Sequence, residues 1–207
     1  MTSEVRAAVL SALRNATRFD IPADELEACL VAEPKLLSDP ERIGAAESAI
    51  RRTLADGTPI PPDMRGGVLP VLGNVAESVI EAILETHGWQ PVGNDPSGFS
   101  SGHGIDLLML DSTFEHLVAI EVKSTIQSSR WPRLAAGRRE QLTPEWFDAP
   151  GNEGMKEWDL GSADIYKMVV QVHLRQLCWR ACLASDLRSP RPLASFNQLT
   201  SLDWLTT

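Results

Sequence analysis

Gly102-His-Gly-Ile-Asp-Leu-Leu-Met-Leu-Asp111 and Leu117-Val-Ala-Ile-Glu-Val-Lys-Ser-Thr125 decide how this chain is read. Both are apolar runs of strand length, and the break from Ser112 to His116 joins them as a hairpin. The first run is apolar at Ile105, Leu107, Leu108, Met109 and Leu110, so both faces of its strand are expected to be covered. Each run nevertheless carries charge where a buried strand should have none. In the first it is Asp106; in the second it is Glu121 and Lys123. Side chains alternate across a strand, so Glu121 and Lys123 share one face while Val118, Ile120 and Val122 take the other. Ionisable groups are costly to bury unless they are paired or bind metal. Two acids and a lysine gathered on one sheet face therefore need a chemical reason.

Upstream, Gly66-Gly67 and Pro70 precede a helix expected over Val71 to Thr86, with Val75, Val79, Ile80, Ile83 and Leu84 on its apolar side. Its acids Glu77, Glu81 and Glu85 stack at i, i+4, i+8. A solvated acidic stripe accounts for Glu85 and Glu81; a functional role singles out Glu77. Gly88 ends the helix as a left-handed cap, with His87 serving the same terminus. Trp89-Gln-Pro-Val-Gly-Asn94 reads as an edge strand, because Pro91 cannot donate to a ladder. Asp95 to Gly104 is rich in Pro, Gly and Ser and reads as a loop.

The beginning of the chain is helical in pattern. Residues 4–18 are amphipathic, and Ala23 to Glu33 forms a second helix with Leu26, Leu30 and Val31 inward. A third runs from about Asp39 to Leu54, capped by Ser38 or Asp39, with Pro40 at its first position. Residues 1–58 are thus expected to form an all-helical N-terminal region and residues 59–207 the domain that carries the chemistry. Packing on that domain, homodimerisation and partner binding are all open roles for the first region.

Downstream, residues 126–161 have weak periodicity. Arg130, Arg133, Arg138 and Arg139 fall close together with no acid among them, interleaved with Trp131. The alternatives are a solvated loop and a phosphate-contacting flap with Trp131, Trp146 and Trp158 as stacking surfaces. Ser162 to Leu183 reads as the strongest helix, with Ile165, Met168, Val169, Val172 and Leu177 inward and Lys167, Gln171 and Arg175 along one face. Pro192 to Phe196 suggests a final strand, with Trp204 packing the terminus down.

The totals set outer limits. The 207 residues are 43% hydrophobic and 23% charged, an ordinary globular composition. No run is read as approaching the roughly 20 apolar residues of a membrane span, which leads to the expectation of a cytoplasmic protein without a membrane partner. Cys29, Cys178 and Cys182 show no CxxC spacing and read as reduced thiols, with Cys178 and Cys182, one helical turn apart, as core residues. The net charge of -9 argues against a broad grip on nucleic acid. Residues 88–207 carry only -3 of it, from 11 basic against 14 acidic side chains. A bound cation would reverse the local sign at the acidic cluster.

The chemistry that suits the cluster is phosphodiester hydrolysis. It requires an activated water, neutralised phosphoryl oxygens and help for the leaving oxygen. Mg²⁺ or Mn²⁺ held by Asp106 and Glu121 on neighbouring strands, with the Val122 carbonyl, would meet the first two needs. Lys123 is positioned to orient or deprotonate the water and to meet the phosphate. Glu77 would bind a second metal or a metal-bound water. There is no Gly-x-x-x-x-Gly-Lys-Ser/Thr phosphate loop and no Gly-x-Ser-x-Gly elbow.

Glu77 on a helix, then Gly104-Ile-Asp106, then Glu121-Val-Lys123 on the next strand resembles the PD-(D/E)XK nucleases, over about residues 71–185. The resemblance implies a restriction-endonuclease-like α/β core of helix, three strands, helix, strand, and Mg²⁺- or Mn²⁺-dependent endonucleolytic cleavage, of DNA more than of RNA. It implies catalytic roles for Asp106, Glu121, Lys123 and Glu77, with Asp106, Glu121, Val122 and Glu77 at the metal. Some members carry Gln-x-x-x-Tyr on the following helix; here Tyr166 precedes Gln171, so that motif is absent, and Gln171 is left as a candidate substrate contact beside His103, Arg138 and Arg139. A shorter likeness, Glu121-Val-Lys-Ser-Thr125 followed by Arg138-Arg-Glu-Gln-Leu-Thr-Pro-Glu-Trp146, is to nuclease toxins of bacterial competition systems. It would imply an inhibitor or immunity protein as partner, whereas phage defence or repair would suit a free-standing nuclease. The rival expectation is a non-catalytic binding or scaffold protein that keeps the fold, with Asp106, Glu121 and Lys123 as a buried ionic network.

Overall fold

A computed structural model describes residues 23–36, 39–92, 105–126, 131–132, 166–176 and 178–183. Among them are three helices, α1 (Ala23–Ala32), α2 (Pro40–Asp56) and α3 (Arg65–Thr86), and five strands. The strands are β1 (Gln90–Pro91), β2 (Leu107–Leu110), β3 (Leu117–Thr125), β4 (Tyr166–His173) and β5 (Cys178–Leu183). They form one mixed sheet in the order β1-β2-β3-β4-β5, antiparallel throughout except for the parallel β3–β4 pair. The expected helix at 4–18, the loop before Gly104, the Arg-rich residues 133–139 and the final strand near Pro192 lie outside the described residues.

Local chemistry sets the helix ends. The Asp39 carboxylate accepts from the N–H groups of Glu41 and Arg42 at 3.0 and 3.3 Å, and Pro40 takes the first turn, where a missing N–H costs nothing. Gly57, at φ +80°, closes α2 by donating to the Thr53 carbonyl. In α1, Leu26 and Leu30 are buried as expected, Cys29 is buried beside them, and Val31 turns outward.

Helix α3 begins six residues earlier than the sequence reading placed it, at Arg65, and takes Pro70 inside. Pro70 has no N–H to offer the Gly66 carbonyl. The Lys35 ammonium donates to that carbonyl instead, at 3.0 Å. Gly67 permits close approach of Leu36, whose Cδ2 would lie 3.0 Å from any Cβ added there. The expectation that no segment approaches a membrane span also needs amending, since α3 has the length and apolarity for one. It is a core helix here: Val68, Val71, Leu72, Val75, Ala76, Ile80 and Leu84 are buried, and it packs on β3. At its other end Gly88 is left-handed, φ +84°, and His87 Nδ1 lies 2.7 Å from the Ile83 carbonyl, both as anticipated.

The hairpin between β2 and β3 is tied by Asp111. Its Oδ1 accepts from the N–H groups of Thr113, Glu115 and His116 and from the Thr113 hydroxyl, while Oδ2 sits 2.8 Å from His116 Nδ1. These hydrogen bonds hold the Asp111 carboxyl below the usual carboxylate range, against a burial that works the other way. They also fix Phe114 at φ +61°.

The largest correction concerns residues 166–183, read from the sequence as a helix. They are β4 and β5, an antiparallel hairpin. Lys167, Gln171 and Arg175 therefore do not form a helical row, and His173 and Cys178 lie on strands. Two features favour the sheet. Val169, Val170 and Val172 are β-branched and suit a pleated surface. Met168, Val170, Val172 and Leu174 also repeat at every second residue, and all four join the buried cluster that includes Val71, Val75, Val118, Ile120 and Val122. Because Val169, Gln171 and His173 on the opposite face are buried as well, no polar alternation marks the strand, and helix and strand periods cannot be told apart by polarity.

Candidate active site

Register builds the site. Leu107 of β2 pairs with Ile120 of β3, so Asp106 falls just before the start of β2, opposite the start of the Glu121-Val-Lys123 segment. There its Oδ2 accepts the Val122 N–H at 2.6 Å, so the side chain takes up a backbone donor of β3 just before β2 begins. The same oxygen lies 3.6 Å from Lys123 Nζ. Lys123 is ion-paired with Glu121 Oε1 and also reaches the Val122 carbonyl at 3.3 Å. Exposure grades across the cluster: the Glu121 side chain is 1% exposed, those of Asp106 and Lys123 19% and 20%. The ammonium thus bridges one buried and one partly solvated carboxylate.

Glu77 enters from α3. Burial pushes its carboxyl up to about 8, with Asp106, Glu121 and Glu81 adding to the rise and Lys123 opposing it. Glu77 therefore sits within electrostatic reach of all three strand residues. Its neighbours on the acidic row grade outward as the sequence suggested: Glu81 is half-buried with its carboxyl raised by burial and by Glu85 and Glu25, and Glu85 is exposed. Cys29 of α1 lies near enough to Glu77 and Glu25 to feel both; with burial as the main cause, its thiol is raised to about 12. Such a thiol is a packed core group rather than a nucleophile.

Across the parallel pairing, Glu121 is matched with Val169, Lys123 with Gln171 and Thr125 with His173. Gln171 is 4% exposed, and its amide donates to the Pro132 carbonyl. His173 is 3% exposed and its Nδ1 accepts the Gln176 N–H at 3.3 Å. The structure therefore brings together Asp106, Glu121, Val122, Lys123 and Glu77, and adds Gln171 as a strand neighbour of Lys123. His103, Arg138 and Arg139 lie outside the described residues. Two residues outside the expected site, His173, which has no metal-ligand partner four residues on, and Pro132, adjoin this row. The spacing Gln171–His173 would have revealed the first, had the segment been read at a period of two.

Among the described residues, no three His, Cys, Asp or Glu side chains form a ready-made metal cage. The donor chemistry nonetheless suits a hard cation. The carboxylates of Asp106 and Glu121 gather about the Lys123 ammonium, and both add to the rise of the Glu77 carboxyl. Mg²⁺ asks for only one or two protein carboxylates and keeps the rest of its shell as water. The chain matches no family model, no curated protein and no solved structure.

Proposed function

We propose that this protein is a divalent-metal-dependent nuclease built on a restriction-endonuclease-like core. The observation that carries the reading is the Lys123 ammonium bridging Asp106 and Glu121 beside the start of β2, with the raised Glu77 carboxyl within electrostatic reach. The element order gives it further support: helix α3, the antiparallel strands β1 to β3, a connection through residues 126–165, then β4 parallel to β3. Asp106, Glu121 and the Val122 carbonyl would hold Mg²⁺ or Mn²⁺. When bound, such an ion neutralises charge on phosphoryl oxygens and makes water more acidic.

The chain's own groups do the rest. Lys123 offers a compact cation to the phosphate and, held between two carboxylates, is kept in one orientation. Glu121, almost fully buried, holds the Lys123 ammonium from the protein side of the cluster. Glu77, its carboxyl pushed up to about 8 by burial and by its acidic neighbours, keeps a proton at neutral pH in the metal-free chain, and a cation bound beside it would favour release of that proton. DNA is the favoured substrate, and phage defence, repair or interbacterial toxicity are the settings that fit.

Purified protein incubated with plasmid, single-stranded DNA and tRNA, with and without Mn²⁺, tests the reading. Divalent-dependent hydrolysis lost in Asp106→Ala and Lys123→Ala is the expected result; cleavage indifferent to both changes sinks it. The second reading, a non-catalytic scaffold, draws on the net charge of -9 and on the ion pairs themselves. It predicts no divalent-dependent hydrolysis and no thermal shift with Mg²⁺.

A further inference from the structure

The Gln171–Pro132 hydrogen bond points beyond general phosphodiester hydrolysis to a class of substrate. Gln171 is a buried amide on β4, paired in register with Lys123. A buried amide needs a partner, and this one uses a backbone carbonyl that belongs to neither β3 nor β4. The bond carries Pro132, and with it the peptide-linked Trp131, to the strand beside Lys123. Pro132 has a fixed φ and restricts the residue before it to extended conformations, so the step is stiff where it is fastened. Trp131 is half-buried. In the sequence it is flanked as Arg130-Trp-Pro-Arg133, an aromatic ring between two guanidinium-bearing residues.

We infer that Gln171 is a positioning residue which holds the Trp131–Pro132 step beside Lys123, and that Trp131 serves there as a stacking platform for an unpaired base next to the scissile phosphate. The inference rests on the nuclease reading and narrows it to single-stranded nucleic acid. Every base has a face that can stack on an indole, but in a duplex those faces are taken up by neighbouring base pairs. An aromatic side chain near the reacting phosphate therefore rewards single strands. The interleaving of aromatic and basic residues is the pattern that follows a single-stranded backbone without reading sequence.

The test measures binding and cleavage separately. A fluorescein-labelled single-stranded oligodeoxynucleotide of mixed sequence and a hairpin duplex of the same sequence are titrated with full-length protein in Ca²⁺, read by anisotropy. Cleavage of both is then followed in Mn²⁺. The expected result is tighter binding of the single strand, weakened about five- to hundredfold by Trp131→Ala and largely retained in Trp131→Phe, with little change on the duplex. Gln171→Met, close in size but without the donor, should raise the KM for the single strand while leaving kcat within about twofold, the pattern of a lost binding contact. Equal effects of Trp131→Ala on both substrates, no effect on either, or binding of neither by the wild type would overturn the inference. Selective single-strand binding without cleavage would instead leave the platform standing and remove the nuclease reading.

Discussion

Gln171 and Lys123 occupy matched positions on parallel neighbouring strands, although 48 residues separate them in the chain. One carries the proposed phosphate-binding charge and the other fastens the segment that follows β3. The same arrangement makes the ionic cluster next to them open to separate measurement.

Lys123→Met and Glu121→Gln should part company in stability. Removing the lysine leaves Glu121, 1% exposed, beside Asp106 without their shared cation. A loss of about 3 kcal/mol is expected, the low end of the range for breaking a buried pair because the ammonium is partly solvated. Glu121→Gln removes the buried charge itself and should stay within about 1 kcal/mol of wild type. Both should lower divalent-dependent cleavage by about a hundredfold or more. Urea unfolding beside plasmid nicking checks both halves. Equal destabilisation by the two changes would contradict the ion-pair geometry.

Glu77 gives a pH signature in metal-free buffer. Its carboxyl titrates near 8 in the folded chain against 4.5 for the free side chain. Below 4.5 both states hold the proton. Between these values the unfolded chain releases a proton that the folded chain keeps, so stability falls as pH rises across the window and levels off above it. Glu77→Gln should remove that slope. The variant should melt close to wild type at pH 4.5 and above it at pH 8.5. Parallel melting curves at both pH values would rule out a raised carboxyl at this position.

Mg²⁺ should stabilise the wild type by mass action. At a concentration about a hundred times its dissociation constant, the gain is about 2.7 kcal/mol. For a chain of 207 residues that corresponds to a rise in Tm of about 5–10 °C. Asp106→Asn should lose most of the rise. A shift of the same size in the variant would place the ion elsewhere.

The hairpin offers a control far from the chemistry. Phe114 is held at φ +61° by the hydrogen bonds that Asp111 gathers. Phe114→Asn, which tolerates that conformation better, should stabilise the fold by up to about 1 kcal/mol and leave cleavage unchanged. Asp111→Ala should destabilise it by about 1–3 kcal/mol, since the N–H groups of Thr113, Glu115 and His116 and the Thr113 hydroxyl lose their shared acceptor together. Thermal melts of both variants decide it, and a stabilised Asp111→Ala would refute the account.

How far the sequence could be read depended on how local each signal was. Asp39, Pro40 and Gly88 act on their own neighbours, so the ends they mark could be read directly. Glu121 and Lys123 stood out because alternation places them opposite Val118, Ile120 and Val122. Pro70 misled, because the partner that makes it tolerable, Lys35, lies 31 residues from Gly66. Residues 166–183 misled for a related reason. A strand covered on both faces has lost the polar alternation that would announce it, and only its pairing with β3, a distant contact, resolves the ambiguity. Gln171 was therefore singled out, but on a helical face it does not occupy.

The parallel joining of β3 to β4 also bears on the order in which the protein folds. Asp106 lies 15 and 17 residues from Glu121 and Lys123, so these three meet through the β2–β3 hairpin, while Glu77 lies 29 residues before Asp106. Val118 meets Tyr166 and Thr125 meets His173 only across a separation of 48 residues. Non-local pairings of this kind form slowly, because the entropy of closure is lost before any contact compensates for it. In refolding, the carboxylate–lysine cluster should gather early and the amide of Gln171 arrive late. A folding chain would then possess its charged centre for a time before it could align anything against it.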